Sequence, residues 1–313
     1  MITPVINVLF SARDGLWDDY RTALGVAFEG AGLVVNLSRD LAPDLVDYII
    51  YAPNGGISDL TPFTRCKAVL GLWAGVESIV TNPTLTQPFA RMVDPSLTEG
   101  MVEWVTGHVL RHHLGMDRDI CRTDGAWDIH VPPLARDRRV GVLGLGALGA
   151  ACAQAMAGLH FDMAGWSRSA KTLAGVTCHH GADGLRAVLE RSEILVLLLP
   201  ATPATENTLN AETLALMPRG AMIVNPGRGP LIDDDALLAA LDTGQIGHAT
   251  LDVFRVEPLP KEHPFWAHEN VTVTPHIASE TRPMSAARVI AENIRRGEDG
   301  DAFLHLVDRD AGY

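Results

Sequence analysis

The sequence predicts an α/β protein built from two doubly wound parallel sheets, and three observations predict it. Short apolar runs alternate with helical stretches over the first third of the chain. The pattern lapses near the middle and restarts sharply at Arg139. The chain has 313 residues, 47% of them apolar, which suits two domains with buried cores at roughly 100–200 residues per domain. Strands that alternate with helices argue for parallel pairing, because each return crossover lays a helix on a face of the sheet.

In chain order, residues 5–10, 33–37, 48–52 and 68–72 read as strands, and 16–29 as an amphipathic helix ending near Gly30. The opening Met1 to Val8 lacks the basic region of a signal peptide and reads as the approach to the first strand. Residues 81–95 are rich in Pro and Thr and read as irregular. A helix is expected over 96–114, with Ser96 as N-cap and Glu99 in capping-box spacing. After a polar segment holding Trp127 and Pro132-Pro133, six strands follow at 140–143, 163–166, 194–199, 221–225, 249–253 and 271–274. Their near-continuous apolar runs suit strands buried on both faces. The last helix, 283–296, is expected to return to the first domain. The division expected is thus residues 1–100 with 283–313, and residues 101–282, with a cleft between them as the place for a ligand.

Lys plus Arg number 25 against 38 Asp plus Glu, a net charge of −13, so non-specific attraction to nucleic acid or anionic membrane is disfavoured. Cys66, Cys121, Cys152 and Cys178 are scattered without a C-x-x-C pair, which predicts structural thiols in a reducing, cytoplasmic compartment. Apolar runs such as 194–199 are too short to span a bilayer.

The chemistry begins at Gly144, Gly146 and Gly149, a G-x-G-x-x-G placed after a strand and at the opening of an Ala-rich helix. Gly144 makes the tight turn, Gly146 lets a pyrophosphate approach, and Gly149 lets helix and strand pack. Ala147 and Leu148 begin the helix whose N–H groups face the phosphates. This context predicts a Rossmann NAD(P)-binding domain behind a flavodoxin-like substrate domain. NAD sites place a carboxylate about 20 residues on, for the ribose 2′-hydroxyl. This chain has Trp166, Ser167, Arg168, Ser169 and Lys171 there instead. Arg168 suits a forked pair with a 2′-phosphate and Ser167 a second donor, so NADP(H) is the preferred cofactor, with NAD(H) as the alternative. Leu199 and Pro200, and Pro226 and Gly227, are counted with the cofactor-binding residues.

Three polar motifs stand at the ends of the late strands: Asn225-Pro226-Gly227-Arg228-Gly229, Leu251 to Pro258, and Thr274-Pro275-His276-Ile277-Ala278. Open α/β sheets build their sites at such ends. Reduction of a keto acid needs a cation for the carboxylate, a proton donor for the carbonyl oxygen, and a carboxylate that keeps the donor charged. Arg228, His276 and Glu257 fill these roles in turn.

With these motifs, the sequence resembles the D-isomer-specific 2-hydroxyacid dehydrogenases, most closely the glyoxylate/hydroxypyruvate reductase A group. The resemblance also rests on residues 73–79, 166–169, 281–283 and 307–313. It implies an oxidoreductase that reduces glyoxylate or hydroxypyruvate, working as a homodimer. By the same resemblance Asp252 holds the nicotinamide carboxamide, and Trp73, Ala74 and Gly75 lie in the loop that binds the substrate carboxylate. Arg282 adds a substrate contact, and Trp127 lies in an arm that reaches the partner subunit's site. The family usually has a small residue where Trp73 stands and Asp where Glu77 stands, so the preferred keto acid is open.

Other features read as bland. His108 and His112, four apart on a helix, lack a third ligand, so they and the pairs His112-His113 and His179-His180 are assigned to surface or interface packing, with no metal site. Asp233-Asp234-Asp235 suits a helix N-terminus. Two rival functions remain at this point: another specificity, including phosphite oxidation, and a nicotinamide-sensing regulator. Glu257 argues against the formate enzymes of this fold, which pair His with Gln.

Overall fold

The structure, a computed structural model, describes residues 5–309. Met1–Pro4 at the start, and 310–313 of the C-terminal motif, lie outside the described residues. The chain divides into two compact units, Met1–Leu97 with Thr281–Tyr313, and Thr98–Glu280.

The first unit starts with β1 (Ile6–Ser11), α1 (Trp17–Gly30), β2 (Val35–Ser38), β3 (Tyr48–Tyr51), β4 (Ala68–Gly71), the short α2 (Glu77–Val80) and β5 (Phe89–Ala90). All pairings are parallel, in the order β2-β1-β3-β4-β5, which is the flavodoxin-like winding. Strand β5 falls inside the stretch expected to be irregular; it has only two residues, too few to show a period. Helix α1 buries Tyr20, Ala23, Leu24 and Phe28, spaced three and four apart, against this sheet.

Helix α3 (Pro95–Leu114) starts one residue before the expected Ser96 cap. The carboxylate of Asp94 accepts the Ser96 N–H at 3.2 Å, so Asp94 takes the capping place, and Pro95 opens the helix where no N–H is missed.

The second unit continues with α4 (Met116–Ile120), β6 (Arg139–Leu143), α5 (Ala147–Gly158), β7 (Asp162–Ser167), β8 (Val176–His180), α6 (Gly181–Arg191), β9 (Ile194–Leu197), α7 (Ala211–Leu216), β10 (Ala221–Asn225), α8 (Asp234–Asp242), β11 (Ile246–Leu251) and β12 (Val271–Val273). Its parallel sheet has seven strands, not six, in the order β12-β11-β10-β9-β6-β7-β8. The extra strand, β8, is an edge strand whose Thr177, His179 and His180 hide it from a search for apolar runs. The order reverses at β6, so ligands are expected outside the carboxyl ends of β6 and β9. The Asp233 side chain caps α8 by accepting the Ala236 N–H at 3.0 Å.

Helix α9 (Pro283–Asp299) belongs to the first unit and packs beside α1, burying Ala286, Ala287, Ile290, Ala291 and Ile294. Among the described residues, no helix is long and apolar enough to cross a membrane.

Candidate active site

The chain leaves β6 through Gly144, whose φ of +102° is one that side chains rarely adopt. A Cβ there would lie 2.4 Å from the Leu198 carbonyl oxygen, and one on Gly149 would lie 1.8 Å from that of Gly144. These two glycines let turn, helix and strand close up. Gly146 differs: it is exposed, and a Cβ on it would meet nothing within 4 Å. As N-cap of α5 it offers no side chain to the helix's first N–H groups, among them those of Ala147 and Leu148. An uncapped 12-residue helix opening beside bare backbone fits a pyrophosphate. Leu199, buried, and Pro200, half-buried, follow β9 just past the point where the Leu198 N–H donates to the Leu143 carbonyl of neighbouring β6.

At the end of β7 the Trp166 indole N–H donates to the Gly181 carbonyl at 2.7 Å, and its ring packs on the unit's core. Ser167 is buried and its hydroxyl donates to the Ser169 carbonyl at 2.7 Å. Its proton therefore shapes the turn. Arg168, Ser169 and Lys171 are exposed on that turn, with no carboxylate among residues 166–171. Through the β7–β8 pairing, His180 stands opposite Ser167.

The catalytic candidates come from three neighbouring strand ends. Past β10, the buried Asn225 side chain accepts the Gly227 N–H at 3.1 Å and donates to the Arg228 carbonyl at 3.0 Å, closing the loop that carries Arg228. Pro226 and Gly227 are buried in it. A Cβ on Gly229 would sit 2.0 Å from the Phe254 carbonyl carbon, so only glycine lets this loop lie against the one that carries Glu257. The Glu257 carboxylate is held at both oxygens: Oε1 accepts the Phe254 N–H at 2.8 Å, and Oε2 meets His276 Nδ1 at 2.7 Å. Burial opposes its ionisation, yet the bonds from His276 and Phe254 and the nearby Arg228 charge hold the carboxyl below the ordinary Glu range.

The His276 side chain is 51% exposed. The bond to Glu257 raises its pKa above the ordinary 6.5, against opposing desolvation and the Arg228 charge. Nδ1 is committed to Glu257, so Nε2 is the nitrogen that can meet a substrate. The three side chains thus form one electrostatic group that can hold a proton on His276 and a guanidinium beside it. Asp252 is fully buried, and both its carboxylate oxygens already accept hydrogen bonds from the 274–278 loop.

In the first unit, Trp73, Ala74 and Gly75 follow β4, with Trp73 41% exposed. The Trp73 carbonyl accepts the Met92 N–H at 3.0 Å. The Thr281 hydroxyl donates to the Leu72 carbonyl at 2.9 Å, which brings the exposed Arg282 next to this loop.

Trp127 is 94% exposed on a segment without regular structure, close in sequence to the exposed Ile129 and Val131. The histidines assigned to surface packing are corrected in part. His112 and His113 are buried, and His112 Nε2 lies 2.9 Å from Thr250 Oγ1. The helix that carries them has apolar neighbours on several faces, so periodicity did not mark them as interior.

Sequence reasoning missed Asn225 and Thr274 as loop-makers. The Asn-x-Gly spacing was a usable signal for the first; nothing local signalled the second.

Residues 106–278 match the model of the D-isomer specific 2-hydroxyacid dehydrogenase, NAD binding domain. A curated glyoxylate/hydroxypyruvate reductase A from Serratia proteamaculans is 38% identical over 257 residues, covering 80% of this chain and 82% of the relative. A D-isomer specific 2-hydroxyacid dehydrogenase from Xanthobacter autotrophicus, solved with NADPH and MES, superposes with a TM-score of 0.91 at 42% identity, over 98% of this chain and 99% of that one. An NADPH-dependent glyoxylate/hydroxypyruvate reductase from Sinorhizobium meliloti, solved with NADP and sulfate, gives 0.86 at 34% identity, over 99% of each chain.

Proposed function

The chain belongs to the D-isomer specific 2-hydroxyacid dehydrogenase family of oxidoreductases, and from that premise we propose that it reduces glyoxylate and hydroxypyruvate, using NADPH, to glycolate and D-glycerate. The observation that carries the reading is the 2.7 Å His276–Glu257 pair beside Arg228, at the strand ends of a sheet with an open phosphate turn.

The cofactor is NADP(H), with NAD(H) as an alternative. Gly144, Gly146, Ala147, Leu148 and Gly149 hold its pyrophosphate. Arg168, Ser169 and Lys171 face the 2′-phosphate, with Trp166 and Ser167 shaping their turn. Leu199, Pro200, Pro226 and Gly227 complete the cofactor-binding set. When bound, NADPH supplies the hydride to the keto carbon.

Arg228 holds the substrate carboxylate and polarises the carbonyl. His276 gives its Nε2 proton to the carbonyl oxygen, and Glu257 stabilises the charged ring before transfer and orients it throughout. One hydride and one proton convert the keto acid to the hydroxy acid. By the family resemblance, Trp73, Ala74, Gly75 and Arg282 are also assigned to substrate binding. A homodimer is part of this reading, with Trp127 entering the partner subunit's site. The solvent-facing Trp127, Ile129 and Val131 support it, because such apolar exposure on one segment marks an association surface.

The test follows loss of reduced-nicotinamide absorbance with NADPH or NADH against glyoxylate, hydroxypyruvate, pyruvate and 2-ketobutyrate. NADPH with the two smallest polar acids is expected to give the highest kcat/KM. A preference for NADH would remove the cofactor reading, and NADPH binding without turnover would favour the sensing role. Arg168→Ala should raise KM for NADPH by about 10- to 100-fold, the worth of a charge-assisted hydrogen bond, with little change for NADH. Equal effects on the two cofactors would return Arg168 to the surface.

A further inference from the structure

Asp252 follows β11 with no exposed surface, and all its polar groups are spent on neighbouring strand ends. Its N–H bonds the Asn225 carbonyl at 3.0 Å, and its carbonyl accepts the His276 N–H at 2.8 Å. Oδ1 accepts the Thr274 hydroxyl at 2.5 Å and the Ile277 N–H at 2.9 Å, while Oδ2 accepts the Ala278 N–H at 2.9 Å. Between these anchors His276 has a φ of +55°, a left-handed conformation that a histidine keeps only when its surroundings enforce it. The ring then meets Glu257.

We infer that Asp252 and the Thr274 hydroxyl are positioning residues: together they clamp the 274–278 loop so that His276 is presented to Glu257 and to the substrate. This rests on the reading of His276 as proton donor. It also gives Asp252 a task separate from the nicotinamide contact that the family resemblance implies. The carboxylate spans the loop with three accepted bonds, two of them from backbone N–H groups. An Asn at this position would aim an NH2 at a backbone N–H, leaving donor against donor. Thr274 feeds the clamp from outside it. Its hydroxyl fixes the Asp252 carboxylate, and its carbonyl shares the His276 N–H at 3.1 Å.

The test compares Thr274→Val, Thr274→Ser and Asp252→Asn in the full-length protein. Histidine-15N NMR follows the His276 titration without cofactor, and NADPH binding and kcat are measured beside it. Thr274→Val should move the His276 pKa back toward 6.5 and lower kcat by about tenfold, as small misplacements of a reacting group do, with NADPH affinity within about twofold. Thr274→Ser should restore both. An unmoved His276 titration in Thr274→Val, or a Ser variant no better than Val, overturns the clamp. So does an Asp252→Asn protein that loses NADPH affinity more than about tenfold while His276 titrates as before, since that is the behaviour of a cofactor ligand. If Asp252→Asn does not fold, the Thr274 pair decides alone. The cofactor-free titration also separates this inference from the functional reading, because it reports on the loop even if no keto acid is turned over.

Discussion

Two histidine pairs in the nucleotide unit resemble one another in outline and behave in opposite ways. His276 sits on a half-exposed loop, 2.7 Å from a carboxylate, and its pKa is raised. His112 is buried on α3, 2.9 Å from the Thr250 hydroxyl, its ring 5.1 Å from that of His248, and its pKa falls to about 3. His248 lies 2.8 Å from the Thr272 hydroxyl and falls to about 4. Burial lowers both, and the nearby Arg111 charge adds to it while Asp117 opposes. A hydroxyl serves either tautomer of a neutral ring, whereas a carboxylate favours the charged one. Partner and solvation, not residue type, separate a histidine held toward its charged form from one held neutral.

The strongest way to sharpen this contrast is removal of each ring. His276→Ala should cut kcat for keto-acid reduction by ~10²–10⁴, the usual worth of a positioned acid, while NADPH titration stays near wild type. A variant within a few-fold of wild type would end its assignment as the acid. His112→Asn should leave steady-state turnover within a few-fold.

A smaller effect is expected from the partner. If His276 is the proton donor proposed above, kcat/KM for reduction should fall as pH climbs through its raised pKa, and oxidation of the hydroxy acid should rise over the same window. Glu257→Gln removes the main raising cause and should carry that limb toward lower pH. An unchanged pH profile would break the pairing.

The smallest effect concerns stability. His112 and His248 have pKa values of about 3 and 4 when folded, below the ordinary 6.5, so the unfolded chain takes up protons first as pH falls. Their neutral state stabilises the fold fully above pH 6.5, and that contribution is lost on descent toward the folded values, at about 1.4 kcal/mol per pH unit and site. Thermal melts from pH 7 to 4.5 should show a shallower acid decline in His112→Asn than in wild type. Identical slopes would mean that His112 protonates freely in the folded protein.

What the sequence by itself determined is local or strongly periodic. The glycines of the turn after β6, the apolar strands β6, β9 and β10, the juxtaposition of Arg228, Glu257 and His276, and the family were all legible. Backbone sterics admit only glycine at Gly144, Gly149 and Gly229, and doubly buried strands need unbroken apolar runs. Tertiary structure decided the rest. Edge strand β8 carries polar residues that only pairing with β7 makes into a strand. Asp94 took the helix cap from Ser96 because Pro95 opened the helix one residue early. Ser167 turned its hydroxyl to Ser169, and His112 went inside because Thr250, 138 residues along the chain, met it there. Asp252 became a clamp through donors at 274, 277 and 278. Each of these depends on a partner that local pattern does not name, and hydrogen-bond satisfaction of buried groups is settled only when distant segments meet.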